Sequence, residues 1–176
     1  MGTVRLPKDV KLMAGIMFKS EADLEAVKAA LQELYGPIET ESEIFDFIHS
    51  EYYAGEMGLK LKKQFIVFKN LIRPERLAEI KLKTNEIESG YLEDGHRQVN
   101  IDPGYVTAAK LVLATTKNYM HRVYLRDGIF GDVHLKVSNR RFVPNEWTYP
   151  DYQTPEALAF FNRVRQNYMR EIEVKK

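Results

Sequence analysis

Val10-Lys11-Leu12-Met13-Ala14-Gly15-Ile16-Met17-Phe18 runs into Ser20-Glu21-Ala22-Asp23, and this junction decides the fold. The first nine residues are almost wholly apolar and too few for a helix spanning a core, which predicts a buried strand. Ser20 with an acidic residue three positions later is the signature of a helix start. Leu24, Val27, Leu31, Leu34 and Tyr35 then recur at helical spacing, and Gly36-Pro37 supplies the residues that end helices. The chain therefore opens with a strand feeding a helix.

Working outward, residues 38–48 favour strand with partial alternation, and residues 64–72 form a second such run across a polar connection. Pro74 suits a first helical turn. Leu77, Ile80, Thr84, Ile87 and Tyr91 repeat at three-and-four spacing up to Gly90, which predicts a second helix. Residues 98–101 read as a strand ended by a turn at Asp102-Pro103-Gly104. The order β-α-β-β-α-β predicts an α+β fold with a ferredoxin-like core, two helices covering one face of an antiparallel sheet. Residues 110–115, 121–125, 129–137 and 141–143, with a hairpin signal at Asp127-Gly128, predict a β-meander extending that sheet. Thr154-Pro155-Glu156 caps a C-terminal helix with Leu158, Phe161, Val164, Tyr168 and Ile172 on one face.

The bulk properties agree with one domain over residues 1–176. The chain is 44% hydrophobic and 29% charged, a globular composition. It has no cysteine, which excludes disulfides, thiolate metal sites and a cysteine nucleophile, and accords with a cytoplasmic setting. Its apolar runs fall far below the roughly 20 residues that span a bilayer, so no membrane partner is expected. Arg5, Lys8 and Lys11 precede the first apolar run, but Lys19 and Glu21 follow without a small-residue cleavage site, and the run reads as a core strand. Charge is uneven: residues 1–95 hold 13 Lys and Arg against 17 Asp and Glu, and residues 96–176 hold 13 against 8.

Phosphate loops, dinucleotide fingerprints, nucleophile elbows and the His-Glu-x-x-His motif are all missing. The four histidines lack ligand spacing. Three clusters remain. Tyr52-Tyr53 with Glu56-Met57-Gly58 places aromatic rings in a connection that needs none, where a loop pinned by tyrosine packing and a ligand contact are the two readings. Lys81, Asn85 and Glu88 share one helix stripe, which an ordinary solvated Lys–Glu face would explain. Asn is nevertheless a poor interior helix residue, because its amide competes with the backbone for hydrogen bonds. Arg97, Asn100 and Asp102 with Tyr105 stand at the end of a strand, where binding groups are commonly displayed and where an Asx turn is the structural alternative.

The stretch Asn100-Ile101-Asp102-Pro103-Gly104-Tyr105, with Arg97 before it and Leu113-Ala114-Thr115, His121-Arg122-Val123-Tyr124-Leu125 and Trp147-Thr148-Tyr149-Pro150-Asp151-Tyr152 after it, resembles an uncharacterised prokaryotic family, domain of unknown function family 4416. Tyr52-Tyr53-x-x-Glu56-Met57-Gly58 and Lys81-x-x-Thr84-Asn85-x-x-Glu88 fit the same pattern. The resemblance implies no reaction or ligand. Some resembling proteins carry a GTP-binding label, yet the phosphate loop and the guanine-reading Asn-Lys-x-Asp are missing here.

Three functional readings follow. The first is a pocket that binds, with turnover as an option, a small anionic, phosphorylated or nucleotide-like ligand, in which Lys81, Arg97, His121 and Arg122 hold anionic oxygens. Glu56, Glu88 and Asp102 would then serve as magnesium ligands or a general base. The second is an RNA-binding module using the basic residues of 105–143 with Tyr105, Tyr119 and Tyr124 interleaved. The third is a non-catalytic protein-interaction subunit presenting residues 147–152. Oligomeric state is open.

Overall fold

The computed structural model describes residues 2–48, 57 and 61–174. Tyr52, Tyr53 and Glu56 lie outside the described residues. Strand β1 (Val10–Phe18) is buried at every position. Its even-numbered residues Leu12, Ala14, Ile16 and Phe18 pack with Leu24, Val27 and Leu31 of helix α1 (Glu21–Tyr35) on one face of the sheet. Met13 packs on the opposite face with Phe65, Phe161 and Val164. Burial on both faces is why the run is continuously apolar instead of alternating. Ser20 caps α1, its hydroxyl accepting from the Asp23 N–H at 3.1 Å.

Strands β2 (Ile38–Glu41), β3 (Phe45–Asp46) and β4 (Lys62–Ile72) follow, so the single run read over 38–48 is two short strands, each paired with β4. A 3-10 turn at Pro74–Arg76 leads into helix α2 (Leu77–Ser89). A small hairpin, β5 (Leu92–Glu93) and β6 (His96–Arg97), precedes β7 (Val99–Val106). The main sheet continues through β8 (Lys110–Thr115), β9 (Arg122–Arg126), β10 (Ile129–Ser138) and β11 (Arg141–Pro144). A short helix α3 (Pro150–Gln153) leads into helix α4 (Pro155–Val174).

The fold is α+β, with a large antiparallel sheet in the order β11-β10-β8-β7-β1-β4-β2. Two features depart from expectation. The extension is not strictly sequential: β10 pairs β8 along one edge, and β9 and β11 share the other. The sheet is covered on both faces, α1 and α2 on one and α4 on the other, because Ala157, Phe160, Phe161 and Val164 have the reverse face of β1 and β4 to bury. No described helix is long and apolar enough to cross a membrane.

The expected turn at Asp102-Pro103-Gly104 is corrected as well. These residues lie inside β7, paired with Gly15, Ala14 and Met13 of β1. β8 joins β7 only over Gly104–Val106, so Pro103, which has no N–H to give, falls one residue before that second ladder starts. Asp127 (φ 53°) and Gly128 (φ 76°) both take positive φ, the geometry expected of the tight β9–β10 turn.

Candidate functional site

A break in the sheet builds the site. β7 and β8 are paired at Gly104–Leu113, Tyr105–Val112 and Val106–Leu111; beyond that, β7 continues along β1 while Ala114 and Thr115 continue along β10. The gap between the diverging strands is covered by α2 and encloses a cavity of about 300 Å³. Lys81, Asn85 and Glu88 from α2, Arg97, and Asn100 and Asp102 from β7 all line it. Six of the sequence-level candidates therefore converge from three segments of chain.

The α2 stripe is not a solvated face. Lys81 and Glu88 are buried because β7 passes beneath them, and they serve the one stretch of β7 that has no β8 neighbour. Lys81 Nζ donates to the Ile101 carbonyl at 2.8 Å, and Glu88 Oε1 accepts from the Ile101 N–H at 2.8 Å. Two helix side chains thus replace a missing strand partner, satisfying backbone groups that would otherwise be costly to bury. Arg97 Nη1 donates to Glu88 Oε2 at 3.1 Å and to Asn100 Oδ1 at 3.0 Å, and Asn100 Nδ2 donates to Asp102 Oδ2 at 3.1 Å. Lys81 also lies 3.7 Å from Glu88 and 3.9 Å from Asp102. The Asx-turn role for Asp102 is replaced by this network. Burial pushes the Glu88 carboxyl above its ordinary value, against the pull of Lys81 and the Ile101 N–H.

The far wall is Asp132 and Tyr149, with Thr115, Thr116 and Lys117 at the side. Asp132 receives Arg122 Nε at 3.0 Å and lies 3.3 Å from His121 Nε2 and 3.4 Å from His134 Nδ1. His134 sits at the bulge where β10 slips against β8, a device that re-aims a side chain. The Tyr149 N–H donates to His134 Nε2 at 3.0 Å, so the proton resides on Nδ1, facing Asp132. Burial acts to raise Asp132, but the hydrogen bond from His134 and the Arg122 guanidinium hold it below the ordinary carboxylate value. Burial, with Asp102 close by, pushes the Tyr149 hydroxyl up to about 12, and it keeps its proton at neutral pH.

A pH prediction follows from Asp132. A carboxyl whose folded value is depressed stabilises the fold above its unfolded value and loses that contribution as pH falls through the folded value. The gap in melting temperature between wild type and Asp132→Asn is expected to be full above the ordinary value of 3.8 and to shrink below it. Thermal unfolding followed from neutral pH downward checks this; a gap constant with pH would contradict it.

The remaining candidates divide. Arg122 is buried and bound to Asp132, to Thr115 Oγ1 at 3.3 Å, to the Lys117 carbonyl at 3.0 Å and to Tyr149 Oη at 3.0 Å, so it braces the wall instead of facing the cavity. His121 stands behind Asp132, stacked on Trp147 at 4.9 Å. Tyr105 is half-buried and packs between the two clusters beneath the helices. In the 147–152 segment, Thr148, Asp151 and Tyr152 are buried, and Trp147 donates to the Val133 carbonyl at 3.0 Å. Among the described residues, no group of three or more His, Asp or Glu is disposed to hold a metal ion. Glu56, one of the three magnesium candidates, lies outside them. The site residues that sequence reasoning passed over are Thr116, Asp132 and His134, while Lys117 and Tyr149 were read only as parts of the basic 105–143 and aromatic 147–152 segments. The signal was there for two: Gly131-Asp132-Val133-His134 sets polar side chains into a strand otherwise built for a core.

Comparison with curated proteins and with solved structures finds no match. A family model described as a domain of unknown function, DUF4416, matches residues 8–168, a span that takes in every wall of the cavity. The chain belongs to the DUF4416 family.

Proposed function

We propose that the protein binds a small anionic ligand in the cavity between β7, β8 and α2. The observation that carries the reading is the lining itself: three cationic side chains, Lys81, Arg97 and Lys117, share one concavity with amides and hydroxyls suited to oxygen-rich groups. The Asn85 carboxamide has no hydrogen-bond partner among the described residues, although it stands mid-helix, where Asn is disfavoured. An amide kept there against propensity is accounted for by a ligand. The same reading treats β1-α1-β2-β4-α2-β7 as a ferredoxin-like split unit, supported by the order β7-β1-β4-β2 with antiparallel neighbours.

The test is ligand-dependent thermal unfolding with inorganic phosphate, sugar phosphates and nucleotides. A ligand at a hundred times its Kd stabilises by about 2.7 kcal/mol, a readily measured shift. Arg97→Met and the exposed Lys117→Met are each expected to weaken the best anion at least about tenfold, or about 1.4 kcal/mol. If no phosphorylated or carboxylated compound moves the melting temperature, the proposal is wrong.

A further inference from the structure

The cavity is polarised along its depth. Its floor carries the buried carboxylates of Glu88 and Asp132 and the nearly buried Asp102, whereas Lys117 is exposed and Arg97 is a quarter exposed at its side chain. Two of the three cations, Arg97 and Lys117, therefore stand toward the mouth, while the third, Lys81, is buried among the carboxylates and already donates to the Ile101 carbonyl. Resting on the reading of an anion site, we infer that the ligand is a phosphorylated sugar or polyol, with its phosphate toward Arg97 and Lys117 and its hydroxyls toward Asp102, Asn85 and Tyr149.

Three observations support that orientation. A bare phosphate or a polyphosphate chain driven to the floor meets three carboxylates, Glu88, Asp102 and Asp132, and the cations there, Lys81 and Arg122, are already engaged by the Ile101 carbonyl and by Asp132, so the deep end favours neutral hydroxyls over a further anion. Hydroxyls, by contrast, both give and take hydrogen bonds, and the interior offers both senses. Asp102 Oδ1, 3.9 Å from Lys81 and outside hydrogen-bond reach of it, accepts. The Asn85 amide gives and accepts. The Tyr149 hydroxyl already accepts from Arg122 Nη2, and burial keeps its proton on, so what it presents to a ligand is an O–H donor. Thr115 Oγ1 likewise accepts from Arg122 and from the Lys117 N–H, leaving its own proton to give.

Size and shape point the same way. At about 300 Å³ the cavity stands at the small end of ligand pockets, which run from about 300 to 1,000 Å³. Among the described residues, the only aromatic side chain in its lining is Tyr149, so they supply no pair of rings between which a base could lie. A pentose or hexose phosphate suits these walls better than a nucleotide does.

Calorimetric titration of the full chain separates the possibilities, using D-ribose 5-phosphate, D-glucose 6-phosphate, unphosphorylated D-ribose, inorganic phosphate and adenosine 5′-monophosphate. At least one sugar phosphate is expected to bind ten-fold or more tightly than inorganic phosphate and than the nucleotide, with free ribose weaker still. Asn85→Leu and Asp102→Asn are each expected to bring the ratio of sugar phosphate to inorganic phosphate affinity down to about one, whereas Lys117→Met is expected to weaken both probes alike and keep the ratio; an unchanged ratio in the first two variants would overturn the orientation. Equal affinity for sugar phosphate and inorganic phosphate, or a preference for the nucleotide, would overturn the sugar assignment and leave the anion site standing. If none of the phosphorylated probes binds, the anion reading falls and this inference with it.

Discussion

Asp151→Ala is expected to lower the unfolding free energy by about 3–5 kcal/mol, the cost of removing one partner of a buried ion pair. Asp151 Oδ2 receives Lys63 Nζ at 2.7 Å, and both side chains are 2% exposed. The ammonium also lies 4.9 Å from the Tyr152 ring centroid and 5.5 Å from those of Phe47 and Phe65. Ring faces are worth about 2 kcal/mol or more to a desolvated cation, but they cannot take the place of a carboxylate. Loss of Asp151 strands a charge among aromatic side chains. Denaturant unfolding of Asp151→Ala and of the double variant Lys63→Met with Asp151→Leu tests the assignment. The double variant is expected to recover most of the loss, because a packed apolar pair of similar volume needs no compensation. A loss below about 1 kcal/mol in the single variant would mean that water reaches the pair.

This pair bears on the site as well as on the core. Asp151 is anchored to β4 two residues after Tyr149, whose backbone holds His134 and whose hydroxyl meets Arg122. The far wall of the cavity is thereby tied through a buried charge to the opposite end of the sheet. A stable variant that loosens this tie, such as the double replacement, is a direct way to ask how closely ligand affinity depends on Tyr149.

Most of the elements were legible because they are written locally. The Ser20 cap, the Gly36 stop, the Asp127-Gly128 turn and the bounds of β8 all depend on a few neighbouring residues. What was illegible depends on partners far along the chain. The spacing of Lys81, Asn85 and Glu88 places them on one stripe but says nothing about whether water or a strand lies opposite; β7 does, so Lys81 and Glu88 became backbone ligands of Ile101. Arg122 read as an anion holder because its planar fork of donors fits phosphate or carboxylate, and Asp132, ten residues on, claims it. Tyr105 read as a site residue by proximity to Asp102, yet alternation along a strand sends neighbours to opposite faces. The clusters on α2 and around β7 did converge, because a sheet that splits between β7 and β8 leaves a hollow that sequence periodicity cannot express.

Gly104 is the clearest case, and replacing it with Val is expected to cost about 3 kcal/mol or more. Asp-Pro-Gly is a strong turn signal, and the glycine reads as the residue permitting it. In the folded chain Gly104 does not have positive φ; it is paired with Met13 on one side and Leu113 on the other. A Cβ there would lie 2.4 Å from the Val112 carbonyl oxygen, 2.7 Å from Leu113 Cδ2 and 3.1 Å from Met13 Sδ. The side-chain atoms can give way, but the carbonyl belongs to the strand facing Gly104 and can retreat only if β8 moves from β7. Overpacking of this kind costs about 1–3 kcal/mol where side chains alone adjust, and more where backbone must shift. Gly104 is also the last paired position before the strands part, so the displacement would widen the hollow between Asp102 and Thr115. Denaturant unfolding measures the stability term, and titration with the best anion measures the second. A Gly104→Val protein as stable as wild type would show that the two strands do not approach as closely as the glycine permits, and a destabilised one with unaltered affinity would show that the cavity is held by α2 and the Asp132 wall instead.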